Sequence, residues 1–391
     1  MSATEVDAGI GADLEVGPER RTSPVELLWD LVFVFAVTQV ATLLGRHLTW
    51  AAFGKGMLIL ALMWWAWSAF VWATNAQDPD APGFRAAMLL ATALIFLAGV
   101  ALPGAFGPDA VLFAVTYALV RLIHLAIYVD ASQRGNASLR AIGGFAFTVV
   151  IGMVLLLAGA LASETARIVL WTVAAAIDYA GPAWLTRERL RGLQQVAVAH
   201  FAERYGLFVL ICLGESVVDI GLGADGRPLD AETVTAILLA LCITIGLWWT
   251  YFGCVADAAQ ERLARHDDPV LAAADGYSYL HLLIVAGIII FAVGAKIAVA
   301  HAAHPLSTAA ALTLCGGVAL FLVGHAAFRL RMLRVVAWPE LAAAAACALP
   351  LALAADHPAT LTAGALTIVL AALVGYEMVA PQGALQVLRA R

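Results

Sequence analysis

The sequence predicts an all-α, polytopic integral membrane protein of about twelve transmembrane helices in two parallel six-helix pseudo-repeats. Of its 391 residues, 63% are hydrophobic and 13% are charged, whereas soluble domains average about half apolar and a quarter charged residues. Apolar runs of about 20 residues, each long enough to cross the hydrocarbon layer as a helix, recur along the chain. Features of the first half also recur in the second half in the same order. We therefore expect lipid to be the solvent of this chain.

The apolar segments define the predicted organisation of the chain. The predicted spans are residues 24–45, 52–74, 84–102, 108–131, 140–161, 164–182, 202–223, 231–255, 277–301, 306–330, 336–355 and 359–379. The predicted domains are a disordered cytoplasmic tail (1–22), a first six-helix repeat (23–182), a cytoplasmic connector (183–201), a second repeat (202–380) and a cytoplasmic tail (381–391). The polar segment 1–21 lacks the apolar core of a cleavable signal peptide. The connections are too short for a catalytic domain, so any chemistry is expected within the helix bundle.

The basic residues predict the orientation of the chain. With an even number of spans and a cytoplasmic N-terminus, most of them fall on cytoplasmic segments, as the positive-inside rule requires. The cytoplasmic segments hold Arg20, Arg21, Arg85, Arg134, Arg140, Arg187, Arg189, Arg191, Arg262, Arg265, Arg329, Arg331, Arg334, Arg389 and Arg391, and the outer segments hold Arg46, Lys55, Arg167 and Arg227. The scattered basic residues and the net charge of -6 predict no nucleic-acid partner.

Four pairs of features predict the internal duplication. They are the aromatic runs Trp64–Trp67 and Trp248–Tyr251, the glutamates Glu26 and Glu203, the segment starts GFRAAMLL and GYSYLHLL, and the arginines Arg121 and Arg329. Because each repeat contains an even number of helices, the repeats would be parallel and related by an axis along the membrane normal. Shared rules of membrane insertion would give similar coincidences, and this alternative stays open.

Two motifs carry a resemblance to a known family. The segments ELLWDLVFVFAVTQV (Glu26–Val40) and HFAERYGLFVLICLGESVV (His200–Val218) resemble the bacterial low temperature requirement protein A (LtrA) family, and the resemblance covers essentially the whole membrane region. The positions matching the family motifs are Glu26, Asp30, His200, Glu203, Arg204, Glu215, Ser216, Tyr277, Tyr279 and His281. The resemblance implies a bacterial inner-membrane protein but no particular reaction, because the family is named for a growth phenotype in the cold.

The first span is also similar to the first helix of a potassium-channel family that occurs as paired six-helix repeats. In this sequence, Leu28 and Trp29 replace the phenylalanine–serine pair of that channel motif. The likeness motivates a channel hypothesis, in which the first and seventh spans line a pore.

Ionisable side chains within the predicted spans are the candidates for a functional site, because a charge near the bilayer centre costs at least about 2.5–3.5 kcal/mol. Glu26 and Asp30 are spaced i, i+4 and share a helix face. At a similar depth on the fourth span lie Arg121 and His124, and we expect these four side chains to form one ion-pair cluster within the first half. The alternative role of these groups is to pin helices together.

A second polar group is predicted further out, where the candidates for a proton or cation relay are Glu215, Asp219 and Lys296. A buried carboxylate that faces a lysine would titrate as a coupled pair, which is the property a proton relay uses. We expect Asp178 and His325 to be isolated packing residues.

The aromatic runs are candidates for the walls of a cavity. They comprise Trp64, Trp65, Trp67, Trp248, Trp249 and Tyr251. Their ring faces would suit an organic or cationic substrate, whereas the alternative is that they only pack. The cysteines show no metal-ligand spacing, so we expect no metal and no cofactor. No nucleotide or hydrolase motif is present, which favours a transporter or channel over an enzyme.

These observations leave three functions. The first is a proton-coupled secondary transporter with a polar site between the first and seventh spans. The others are a cation channel and a membrane-embedded enzyme or sensor that acts on a lipid in a groove formed by Glu215, His281 and Lys296. The expected partners are membrane lipid and a small molecule or ion, and homo-oligomerisation stays open.

Overall fold

The computed structural model describes residues 22–75, 77, 81–133, 139–181, 197–253 and 255–379. The helices are α1 (Pro24–Arg46), α2 (Trp50–Thr74), α3 (Pro82–Ala101), α4 (Ala110–Gln133), α5 (Leu139–Leu161), α6 (Glu164–Ala180), α7 (Val198–Gly223), α8 (Ala231–Phe252), α9 (Val255–Ala264), α10 (Pro269–Ala273), α11 (His281–Ala300), α12 (Thr308–Leu333), α13 (Trp338–Ala346), α14 (Ala348–Leu353) and α15 (Ala359–Val379). The two predicted tails, except Thr22, and connector residues 183–196 lie outside the described residues.

The helices have the lengths and compositions that a multi-pass membrane protein requires. Among the described residues, nine helical stretches are long and apolar enough to cross a membrane. Two shorter apolar helices, Phe145–Leu161 and Trp338–Leu353, coincide with the fifth and eleventh predicted spans. The sixth predicted span coincides with α6. The prediction of an all-α polytopic membrane protein is therefore confirmed.

The ninth predicted span begins differently from the expectation. The predicted start at residue 277 lies in a π-helical turn, Ala274–Leu280, which follows the short helix α10 and leads into α11. Single π-helical turns inside helices occur frequently at functional sites. This turn lies against α2 and α7, as described below for Ser278.

Helix α11 is the central helix of the second half and packs closely against α12. A Cβ atom at Gly294 would overlap the backbone of Leu314, and one at Gly317 would overlap the backbone of Phe291. In lipid, small residues let helix backbones approach and gain van der Waals contact. Helix α11 also contacts α7 and α1, so the first helices of both predicted repeats meet beside it.

Candidate functional site

A buried charge network joins α1 to α7. The guanidinium of Arg204 donates to both carboxylate oxygens of Asp30, with Nε–Oδ2 at 3.0 Å and Nη2–Oδ1 at 2.6 Å. Its Nη1 donates to Glu26 Oε1 at 3.1 Å. All three side chains are fully buried. One arginine of the predicted second half is therefore shared by two carboxylates on successive turns of the first helix.

Groups from α2 and the start of α7 complete the network around Glu26. Nε2 of His200 lies 3.3 Å from Glu26 Oε2, and His200 Nδ1 lies 3.4 Å from Asn75 Oδ1. The hydroxyl of Thr74 accepts from Arg204 at 3.4 Å. The backbone N–H of Ser23 donates to Glu26 at 2.9 Å, which fixes this carboxylate at the first turn of α1.

Helix α2 connects this network to the π-helical turn of the second half. The indole N–H of Trp67 donates to Asp30 Oδ1 at 2.8 Å. Beside it, the Tyr205 hydroxyl lies 2.7 Å from Ser68 Oγ and 2.9 Å from Ser278 Oγ. These contacts form a hydrogen-bonded layer across the boundary between the predicted halves.

Two further indoles of α2 bond to the same serine of the turn. Trp64 donates to the Ser278 backbone carbonyl at 2.7 Å, and Trp72 donates to the Ser278 hydroxyl at 2.8 Å. Trp65 instead stacks on Tyr179 of α6, with ring centroids 4.3 Å apart. The first tryptophan run is thus an interior feature, and the indole N–H groups of Trp64 and Trp67 are hydrogen-bonded.

The second tryptophan run has a different environment, so the two runs do not share one interior cavity. Trp248 is 40% exposed on the lipid-facing surface of α8, and Trp249 is half-buried. Only Tyr251 of this run points inward, where its hydroxyl lies 2.8 Å from His281 Nε2. The rotation of α8 about its axis therefore differs from that expected by analogy with α2.

The expected pairing of Asp30 with Arg121 and His124 is also wrong. Arg121 Nη2 pairs with Asp178 Oδ1 of α6 at 3.3 Å, whereas Asp30 is occupied by Arg204 and Trp67. Spacing along the chain predicts depth and helix face but not which helix lies opposite. Asp178, expected to be an isolated packing residue, is therefore half of a buried ion pair.

A cavity of about 70 Å³ lies beside the Arg121–Asp178 pair. Among the described residues, Arg121 Nε, Arg121 Nη1 and His124 Nδ1 are buried without a hydrogen-bond partner. The remaining wall residues are Trp65, Ser68, Ala69, Trp72, Tyr128, Phe145, Thr148, Val149, Ala274, Ser278 and Tyr279. Both predicted halves contribute to the cavity, and Trp65 is its only wall residue from the predicted aromatic runs.

The predicted outer polar group, Glu215, Asp219 and Lys296, forms a site separate from the charge network. Lys296 Nζ lies 3.1 Å from Asp219 Oδ1, and 40% of the lysine side chain is exposed. Glu215, the third candidate for this relay, is half-buried and interacts with Thr38 of α1. Its neighbour Ser216 is buried and donates to the Leu213 carbonyl at 2.6 Å.

His281 does not belong to that outer group. It precedes Lys296 by fifteen residues on the same helix, which corresponds to about 22 Å. Its Nδ1 lies 3.0 Å from the Gly276 carbonyl oxygen, and its ring stacks on Tyr277. The lateral groove of Glu215, His281 and Lys296 is therefore not formed.

The remaining family-motif glutamate lies outside the network. Glu203 is exposed at the start of α7 and accepts from the Thr22 backbone N–H at 3.3 Å. Within the part of the chain that the structure describes, no three His, Cys, Asp or Glu side chains are grouped as a metal site would require.

A second buried ion-pair cluster lies in the second half and was not predicted. His325 Nδ1 lies 3.0 Å from Glu340 Oε2, so His325 is not an isolated packing residue. Arg329 also pairs with Glu340 and lies 3.6 Å from Glu377. Glu340 lies in the first turn of the short helix α13, directly after Pro339, and its position inside an apolar segment was the available signal.

Comparisons with known proteins agree with this architecture. The protein-family model described as "Bacterial low temperature requirement A protein (LtrA)" matches residues 21–375. The chain is also 31% identical to Uncharacterized protein RA0937 of Rhizobium meliloti (strain 1021) over 314 residues, which cover 78% of this chain and 76% of that protein. The matched region contains every helix of the charge network and of the cavity. The chain belongs to the bacterial low temperature requirement A (LtrA) family of membrane proteins.

Proposed function

We propose that this protein is a proton-coupled secondary transporter of the bacterial cytoplasmic membrane. The observation that carries the proposal is the fully buried sharing of Arg204 between Glu26 and Asp30 across the two predicted halves. A transporter that alternates between two states needs contacts between its halves that can be remade, and it needs a group that exchanges protons. The network supplies both features in one place.

The chemistry of the network supports proton exchange. Arginine stays charged, so Arg204 is a fixed cation, whereas carboxylates and imidazole gain or lose protons. Glu26 and His200 lie 3.3 Å apart, a distance over which a proton can be shared through a hydrogen bond. Protonation of Glu26 or Asp30 would weaken its attraction to Arg204. Proton binding would thereby loosen the contact between α1 and α7.

The position of the network suits a seal on the cytoplasmic side. We propose that both termini are cytoplasmic, in agreement with the excess of basic residues on the cytoplasmic segments. Asp30 and Arg204 each lie six residues after the first residue of their helix, Pro24 or Val198, which corresponds to a depth of about 9 Å. A rocking motion that separates α1 from α7 would open the contact between the two predicted halves on this side.

The test uses the full-length protein in liposomes that contain a pH-sensitive dye. The liposomes are exposed to membrane-impermeant organic anions, cations and zwitterions, with and without an imposed pH gradient. We expect at least one solute to drive proton movement and Asp30→Asn to reduce the rate at least tenfold. Asp225→Asn, which alters an exposed carboxylate between α7 and α8, is the matched control and should keep the wild-type rate. Wild-type proton movement in Asp30→Asn would remove the mechanism.

The alternatives predict different results in the same preparation. Unitary currents in planar bilayers under an ion gradient, without any added solute, would favour a channel lined by α1 and α7. The enzyme hypothesis depended on a groove that contains Glu215, His281 and Lys296, and the separation of His281 from Lys296 along α11 removes that support. The transporter is therefore the function that the geometry favours.

A further inference from the structure

We propose that the cavity beside Arg121 binds the carboxylate of a small organic anion with a ring-shaped or otherwise apolar body. Only the identification of this anion as the transported solute rests on the proposed transport function. The binding site itself follows from the geometry of the cavity. Nothing in the family membership assigns a ligand to these residues.

The first argument is the unmet hydrogen bonding of Arg121. Its side chain is 2% exposed, and Asp178 engages only Nη2, at 3.3 Å. Among the described residues, Nε and Nη1 have no acceptor. A buried donor without a partner costs about 1–3 kcal/mol, and more when the group is charged. The site therefore favours a molecule that brings acceptor oxygens.

The second argument is the chemistry of the cavity walls. The rings that line it belong to Trp65, Trp72, Tyr128, Phe145 and Tyr279. Ligand sites usually combine such apolar walls with a few polar groups that fix orientation. The guanidinium provides the polar end here, and the rings would contact the apolar body of the ligand.

Charge selects an anion over a cation. Asp178 is already paired with Arg121, so a cation would lose part of its attraction to Asp178 and would meet the guanidinium at short range. Hydrogen bonds between a guanidinium and a carboxylate are about twice as strong as neutral ones, which also favours an anion over an amide of the same shape. His124 Nδ1, which has no partner among the described residues, can donate to the ligand as well.

The cavity is connected to the charge network through Ser278. Ser278 lines the cavity, accepts from Trp72 and bonds to Tyr205, which is adjacent to Arg204 in sequence. A ligand that displaces Trp72 would disturb these bonds. Occupancy of the cavity can thus be sensed at the contact between α1 and α7.

The experiment measures binding to the purified full-length protein in detergent, without any transport step. Benzoate, benzamide and benzylamine, which share a ring and differ in charge, are titrated by calorimetry and by tryptophan fluorescence. Trp65 and Trp72 are the expected reporters. We expect saturable benzoate binding, at least tenfold weaker benzamide binding and no benzylamine binding.

Variants separate the role of Arg121 from effects on folding. Arg121→Gln should weaken benzoate binding at least tenfold, and Arg121→Lys should be intermediate because it keeps the charge. Ala69→Leu fills the cavity without changing a charge and should abolish binding in a protein that melts at the wild-type temperature. Arg227→Gln, in the exposed connection between α7 and α8, is the control and should bind like the wild type.

The outcomes distinguish this inference from the proposed function. Equal benzoate affinity in wild type, Arg121→Gln and Ala69→Leu, or a preference for benzylamine, would overturn the anion site. Arg121-dependent binding without any solute-driven proton movement would keep the site and contradict the transporter. Solute-driven proton movement without Arg121-dependent benzoate binding would keep the transporter and overturn the site.

Discussion

Two arginines in corresponding places of the predicted repeats have different surroundings. Arg329 of α12 lies between two carboxylates, Glu340 and Glu377. Among the described residues, Arg121 of α4 has one carboxylate partner, Asp178, and a cavity lies on its other side. In both halves the arginine faces an acidic residue of the last helix of its repeat. This correspondence supports the predicted duplication, which a superposition of the two halves would test.

The difference between the halves comes from one additional carboxylate. The sequence of α5 contains no acidic residue, whereas α13, its counterpart, begins with Trp338-Pro339-Glu340. Glu340 is fully buried and pairs with both Arg329 and His325. This glutamate gives Arg329 a second carboxylate partner, whereas two nitrogens of Arg121 are buried without a partner among the described residues.

The largest effect is expected from removing that glutamate. Glu340→Gln would leave Arg329 and His325 without their shared partner, and breaking a buried ion pair costs about 3–5 kcal/mol. The free energy of unfolding in mixed micelles measures the loss. Glu377→Gln is the control, because this carboxylate is 21% exposed and further from Arg329, and its loss should cost about 1 kcal/mol or less. Equal losses of unfolding free energy in the two variants would show that Glu340 is not the main partner of Arg329.

A smaller effect is expected in the first half. Asp178→Asn removes the partner of Arg121, but the adjacent cavity can admit water to the guanidinium, so the loss should be about 1–3 kcal/mol. The same unfolding measurement applies. A loss as large as that of Glu340→Gln would mean that water in the cavity does not compensate Arg121 for the lost partner, and the contrast between the halves would disappear.

The smallest effect concerns the tryptophan runs. Trp248→Phe should change the free energy of unfolding by no more than about 0.5 kcal/mol, because this side chain lies on the surface. The same variant should reduce the fraction of tryptophan emission that brominated lipids quench. Trp67→Phe, which alters a fully buried ring, should leave the quenched emission unchanged. Quenching lost in Trp67→Phe and kept in Trp248→Phe would reverse the assignment of interior and lipid-facing runs.

Much of the fold could be predicted from the sequence, because the length of an apolar run and the thickness of the hydrocarbon layer fix each span. The exceptions are local. The eleventh predicted span breaks at Cys347, between α13 and α14, and the ninth span starts with a π-helical turn. Both depend on how neighbouring helices pack, which an apolar run does not encode.

The candidate site could be predicted only in part. The i, i+4 spacing placed Glu26 and Asp30 on one helix face, and in the structure both carboxylates accept hydrogen bonds from the guanidinium of Arg204. Successive residues on a helix point about 100° apart, so Glu203 and Arg204 could not both face the interior. The identity of the partner helix could not be predicted, because it depends on the lateral arrangement of spans with similar composition.

The central claim is that Asp30 and Arg204 act as one unit across the predicted halves. A double-mutant cycle with Asp30→Asn, Arg204→Gln and the combined variant tests it by the free energy of unfolding. Because the side chains share two hydrogen bonds in a buried site, we expect a coupling energy of about 1.5–3 kcal/mol, with the combined variant little worse than the worse single one. Additive losses, with a coupling energy near zero, would contradict the account.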